Sequence, residues 1–154
     1  MAYEIEHKYL VINDSYKEMA TGKLEIKQGY LNRNPDRTVR IRTIGNKGFL
    51  TVKSRNHGAK RLEFEYEIPV KDAEEILRLA EPGIVDKTRY LIPFKGLIWE
   101  VDEFHGALKG VTLAEVEIPE SNHEYELPPF IGADITGDPA FYNSNLNPLP
   151  KKES

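Results

Sequence analysis

Polar and apolar residues take turns along most of the chain between residues 2 and 118, the pattern of strands with one wet face and one packed face. Residues 2–11 set Glu4, Glu6 and Lys8 against Ile5, His7 and Tyr9. Residues 37–43 set Arg40 and Arg42 against Val39 and Ile41, and residues 60–69 set Arg61, Glu63, Glu65 and Glu67 against Leu62, Phe64, Tyr66 and Ile68. Residues 87–92 oppose Lys87 and Arg89 to Thr88, Tyr90 and Ile92. Residues 97–104 oppose Glu100 and Asp102 to Trp99 and Val101, and residues 111–118 oppose Glu115 and Glu117 to Ala114, Val116 and Ile118. A further strand over 49–55 carries Lys53 between Val52 and Ser54, after a hairpin turn Gly45-Asn46-Lys47-Gly48 whose Gly and Asn tolerate positive φ. Residues 24–31 alternate more weakly. Roughly eight strands result, a mainly β (α+β) chain.

Helices are few and peripheral. Residues 70–80 put Ala73, Ile76, Leu77 and Ala80 on one stripe, and Pro82-Gly83 stops them. A short helix is expected over 14–20. After Glu120 the chain is rich in Pro, Asn and Gly and reads as loop, with one helical turn over 139–146 and a frayed end at Lys151-Lys152-Glu153-Ser154.

Composition narrows the class. A chain of 154 residues, 40% hydrophobic and 30% charged, suits one globular domain over 1–154, with its core over 2–120 and a C-terminal segment over 121–150. Without cysteine there are no disulfides or thiolate metal sites. No run of about 18 apolar residues exists and the acidic start lacks a signal-peptide core, so no membrane partner is expected and the cytoplasm fits. The net charge of −4 lacks the basic excess of proteins that bind long nucleic acid, so none is expected as a partner. A negative chain still binds an anion where its positive charges gather in one place.

The strands say where that place is. Both signs of charge recur at alternate positions, and a closed barrel would send one set inward. Such an interior is too polar for a packed core and must hold water, ions or a charged ligand. Paired carboxylates suit hard divalent cations, Arg and Lys suit phosphate oxygens, and phosphoryl transfer needs both. Any single E-x-E or R-x-R strand is better read as the wet face of a half-exposed sheet, and Glu67, Glu100 and Arg61 are so read on their own. Taken together the strands resist that reading, because ordinary wet faces also use Thr, Ser, Gln and Asn. The histidines His7, His57, His105 and His123 have no paired metal-ligand spacing, and His7 falls on the apolar face as a packing residue. There is no P-loop and no Ser or Cys nucleophile motif.

Seven segments, in order, resemble one known family. Glu4-Ile5-Glu6-His7-Lys8 resembles the E-x-E-x-K signature of the CYTH superfamily, the triphosphate tunnel metalloenzymes. Val39-Arg40-Ile41-Arg42 resembles its R-x-R strand, Lys53 its next basic position, and Arg61-Leu62-Glu63-Phe64-Glu65 its R-x-E-x-E strand. Lys87-Thr88-Arg89, Glu100-Val101-Asp102 and Glu115-Val116-Glu117 resemble its K-x-R, E-x-D and final E-x-E strands, and Ile135-Thr136-Gly137-Asp138 with Tyr142 its C-terminal segment. The resemblance implies an eight-stranded antiparallel β-barrel, with Mg²⁺ or Mn²⁺ held by Glu4, Glu6, Glu115 and Glu117 and supported by Asp102, Glu63 and Glu65. It implies that Lys8, Arg40, Arg42, Lys53, Arg61, Lys87 and Arg89 grip a small triphosphate. Glu4, Glu6, Lys8, Asp102, Glu115 and Glu117 would serve catalysis, with a metal-activated water as the attacking group. Family members hydrolyse tripolyphosphate, thiamine triphosphate or nucleoside triphosphates, process RNA 5′ ends, or make cyclic AMP. The short length and early E-x-E-x-K most resemble the small bacterial tripolyphosphatases. Alternatives are a class IV-type adenylyl cyclase and a non-catalytic polyphosphate-binding module. The full acid set favours an enzyme, since carboxylates hinder plain anion binding. Small members of such families often pair, so a homodimer is a further expectation.

Overall fold

In the structure, a computed structural model, residues 3–141 are described. They form β1 (Tyr3–Val11), α1 (Tyr16–Met19), β2 (Gly22–Asn32), β3 (Arg37–Ile44), β4 (Lys47–Ser54), β5 (Lys60–Ile68), α2 (Val70–Leu77), β6 (Val85–Phe94), β7 (Leu97–Phe104), β8 (Thr112–Glu117) and β9 (Ile131–Asp134). The strands lie in the order β5-β4-β3-β2-β6-β7-β8-β1, all pairs antiparallel, and β1 returns to β5 through Tyr3↔Leu62, Glu4↔Arg61 and Ile5↔Lys60. The sheet is therefore a closed eight-stranded antiparallel barrel, which removes the exposed edges an open sheet would leave. The seam on β5 is short. β9 takes the rest of that edge of β1 at Tyr9↔Asp134 and Val11↔Ile131, and the Lys8 N–H donates to Thr136 Oγ1 at 2.9 Å beside it.

The apolar faces point outward and are covered by chain. Tyr9, Ile92, Trp99, Val101, Ala114 and Val116 are buried beneath Tyr16 of α1, Phe130 and Ile131, with Tyr125 packed on them. Tyr9 and Tyr125 share a hydroxyl hydrogen bond of 2.7 Å. His7 lies on this side, its ring 5.8 Å from that of Tyr125, as a packing residue. Large side chains buried here each contribute roughly 1.5–3 kcal/mol. On the other side α2 lies across β3 and β4, with Ala73 fully buried. Beyond Lys87, Asp102 and Glu115 the inward positions turn apolar, and Val85, Phe104, Leu108 and Leu113 make a second core.

Several elements differ from the sequence reading. The β3–β4 turn is only Gly45-Asn46, with Gly45 at φ +58°, and Gly48 belongs to β4. A Cβ on Gly48 would stand 2.6 Å from the Ala73 Cβ, so glycine there serves the close approach of α2. α2 is helical only to Leu77; residues 78–80 continue as tighter turns, with Arg78, Leu79 and Ala80 N–H bonded three residues back. β2 alternates weakly because both of its faces are covered: Gln28, Gly29 and Tyr30 are all buried. β9, expected as loop, exists because β1 offers it a free edge, while its four residues carry no strand pattern. Of the helical turn over 139–146, Pro139–Phe141 is a 3₁₀ turn, and the remainder, with Tyr142 and residues 151–154, lies outside the described residues.

Candidate active site

Alternation puts the charged set inside. A cavity of about 360 Å³ runs into the barrel, lined by Glu4, Glu6, Glu63, Glu65, Glu100, Glu115 and Glu117 and by Lys8, Arg40, Arg42, Lys53, Arg55, Arg61, Lys87 and Arg89. Tyr30, Pro35, Thr38, Asn56 and Pro139 complete it. All the sequence-predicted site residues except Asp102 reach the cavity. Glu67 does not, and remains the exposed carboxylate it was read as.

Most acids are already paired with bases. Glu4 Oε1 accepts from Lys53 Nζ and Arg61 Nε, each at 3.0 Å. Asp102 is buried behind the cavity, holding Arg89 through two bonds of 2.8 and 2.9 Å and Lys87 Nζ at 2.7 Å. Glu115 meets Lys8 and Arg89, each at 3.2 Å, and Lys8 Nζ also donates to the Phe141 carbonyl at 3.0 Å. Burial opposes ionisation of Glu4, Asp102 and Glu115, but the adjoining bases overcome it and hold all three below the usual carboxylate range.

Glu6 is different. It makes no ion pair among the described residues, and burial, with Glu115 and Glu4 nearby, pushes its carboxyl up to about 8. Glu100 and Glu117 are likewise raised, by burial first and then by neighbouring carboxylates. Glu6, Glu100 and Glu115 each bring one oxygen to within 4.8 Å of the others. Hard oxygen donors converging in this way fit a divalent cation, and among the described residues no nitrogen or sulfur ligand for a softer metal joins them. Glu100, read from sequence as a wet-face residue, is thus corrected: its strand belongs to a closed barrel, so its polar face is the interior.

Beside the acids stands a basic wall. Burial, with Arg40 and Arg89 near, lowers Arg42 to about 10, and burial, against the pull of Asp102, lowers Lys87 to about 8. Arg40 Nε and Arg42 Nε are buried and have no partner among the described residues. Arginine side chains lining the cavity suit an anion with many oxygens. Sequence reasoning missed Thr51 and Tyr30. Thr51, fully buried, sits two residues before Lys53 on the same face of β4, and that parity was the available signal; Tyr30 was hidden by the weak alternation of β2.

A charged barrel with an acid trio beside an arginine wall defines a class of protein, and the family comparison agrees: residues 2–142 match the CYTH domain, and the chain belongs to that family. Among its relatives is an inorganic triphosphatase of Acetivibrio thermocellus, 47% identical over 99% of this chain and 97% of that protein. An inorganic triphosphatase of Nitrosomonas europaea is 33% identical over 93% of this chain and 95% of that protein. The crystal structure of an inorganic triphosphatase superposes with a TM-score of 0.66 at 31% identity, covering 96% of this chain and 95% of that one.

Proposed function

We propose that the chain is a metal-dependent triphosphatase that hydrolyses inorganic tripolyphosphate. The observation that carries this is the placement of Glu6, Glu100 and Glu115 beside the basic wall within one cavity. Relatives at 47% and 33% identity that are inorganic triphosphatases support hydrolysis over cyclisation.

Glu6, Glu100 and Glu115, with Glu117 and Glu4 beside them, would hold Mg²⁺ or Mn²⁺. When bound, the cation supplies charge neutralisation at the phosphoryl oxygens and acidifies the attacking water. Arg40, Arg42, Lys53 and Arg89 grip the phosphoryl oxygens and spread the charge that builds on them. Lys8 and Lys87, anchored by Glu115 and Asp102, orient the chain of phosphates. Asp102 acts by fixing Arg89 and Lys87, while Glu63 and Arg61 fix Lys53 and Glu4. The same reading takes 1–154 as one domain acting in the cytoplasm, with a paired state to be checked by light scattering.

The test is incubation with tripolyphosphate, ATP and thiamine triphosphate, with and without Mg²⁺ or Mn²⁺, counting orthophosphate, pyrophosphate and cyclic AMP. Metal-dependent release of orthophosphate and pyrophosphate, fastest from tripolyphosphate, is expected. Cyclic AMP as the main product, or binding without turnover, overturns the reading.

A further inference from the structure

Glu65 stands apart from the acid trio. It lies at the end of a row that crosses three strands at one level: Arg40 on β3 faces Thr51 on β4, and Thr51 faces Glu65 on β5. A single oxygen, Glu65 Oε2, accepts from Thr51 Oγ1 at 2.9 Å, Arg42 Nη2 at 3.2 Å and Arg40 Nη2 at 3.4 Å. Arg40 Nη2 also donates to Thr51 Oγ1 at 3.2 Å. Three donors converging on one carboxylate oxygen is the arrangement a phosphoryl oxygen would receive.

Only one corner of each guanidinium is used. Arginine has five N–H donors in a rigid fork, and the Nε atoms of both Arg40 and Arg42 are buried without a partner among the described residues. Two buried like charges side by side repel, and nothing in their own side chains keeps them aimed at one point. We propose that Glu65 is a positioning residue that draws Arg40 and Arg42 together and aims their remaining donors at the phosphoryl oxygens, rather than a metal ligand. This rests on the triphosphatase reading above.

A carboxylate beside an anion site also repels the anion, and the two effects have opposite signs. The Glu65 side chain is 35% exposed, so its field on the substrate is screened, while the Arg42 side chain it holds is only 11% exposed. Aiming the buried arginines outweighs the screened repulsion, and loss of Glu65 weakens binding.

The experiment compares wild type, Glu65→Gln and Thr51→Val by calorimetry, titrating tripolyphosphate in chelator and, separately, Mn²⁺ without phosphate. Glu65→Gln keeps the shape and an acceptor but removes the charge. Its tripolyphosphate Kd is expected to rise about tenfold, the scale of one lost charge-assisted contact. Its Mn²⁺ affinity stays within about twofold, and in turnover the loss falls on KM rather than kcat. Thr51→Val gives a smaller rise of the same kind, about threefold, and carries the test alone if melting curves show Glu65→Gln unfolded. Weaker Mn²⁺ binding with tripolyphosphate affinity intact makes Glu65 a metal ligand and overturns the proposal. Tighter tripolyphosphate binding makes it a competitor, and no change makes it a solvated carboxylate; each also overturns it. Wild type that binds no tripolyphosphate overturns the functional reading first, and this proposal with it.

Discussion

The wall built by β1, β7 and β8 and the wall built by β3, β4 and β6 carry charge at the same alternate positions, yet the two are strained in opposite directions. On the first, burial and then neighbouring carboxylates raise the carboxyls of Glu6, Glu100 and Glu117, Glu6 to about 8. On the second, Arg42 is lowered to about 10 and Lys87 to about 8, by burial first. Under the proposed function a cation would relieve the raised carboxyls of the first wall, and a polyanion the lowered bases of the second. The difference teaches what to expect of the proposed ligands: each would return stability to its own wall on binding.

The largest break in that comparison comes from removing the cation. Chelation with EDTA should abolish tripolyphosphate hydrolysis, and added Mn²⁺ or Mg²⁺ should restore it; turnover undiminished in chelator would refute the role given to the acid wall. Next, Glu6→Gln removes a charged oxygen from the trio at nearly constant shape. Its rate at saturating metal should fall by about a hundredfold, with the melting temperature in chelator kept or raised. A variant retaining half of the wild-type rate would return Glu6 to a bystander.

Arg42→Ala probes the opposite wall. It relieves repulsion with Arg40 and Arg89, so the melting temperature without ligand should be unchanged or slightly higher. Wild type should gain about 2.7 kcal/mol from tripolyphosphate at a hundred times its Kd, and the variant should lose most of that gain. Equal stabilisation of both proteins by ligand would place the phosphate elsewhere.

The walls also predict a pH profile in chelator. Glu6 binds its proton more tightly folded than unfolded, so stability should fall as pH rises from the ordinary 4.5 through about 8. Lys87 binds its proton less tightly folded, so stability should recover from about 8 toward the ordinary 10.5. Melting temperatures should therefore pass through a minimum near pH 8, and Glu6→Gln should flatten the acidic limb; in a domain of this size 1 kcal/mol moves the midpoint by roughly 2–4 °C. A flat wild-type profile would mean that Glu6 titrates as in water. The smallest effect belongs to Glu67→Gln, on the same strand as Glu63 and Glu65 but outside the cavity, which should change activity and stability by no more than about 0.5 kcal/mol. A larger loss in a kinetic or melting assay would extend the site to the end of β5.

The strands and their charged faces were legible because period-two alternation is a local property, written into each segment by the residues two apart. The sequence by itself determined that Glu4, Glu6 and Lys8 share a face, as do Arg40 with Arg42 and Glu115 with Glu117. Ordered motifs added the family and the barrel. Alternation alone names two faces without saying which is inside, so on its own it leaves Glu100 a solvated carboxylate; the β1–β5 pairing closes the sheet around it. Pairing across strands likewise decided that Asp102 anchors Lys87 and Arg89, that Thr51 and Glu65 hold the arginines, and that β9 exists at all. These depend on register between segments far apart in the chain, which no local pattern encodes. Closure did one thing more. It turned faces that would each have been wetted by solvent into a single buried surface, where burial and close neighbours shift Glu6, Arg42 and Lys87 away from their values in water.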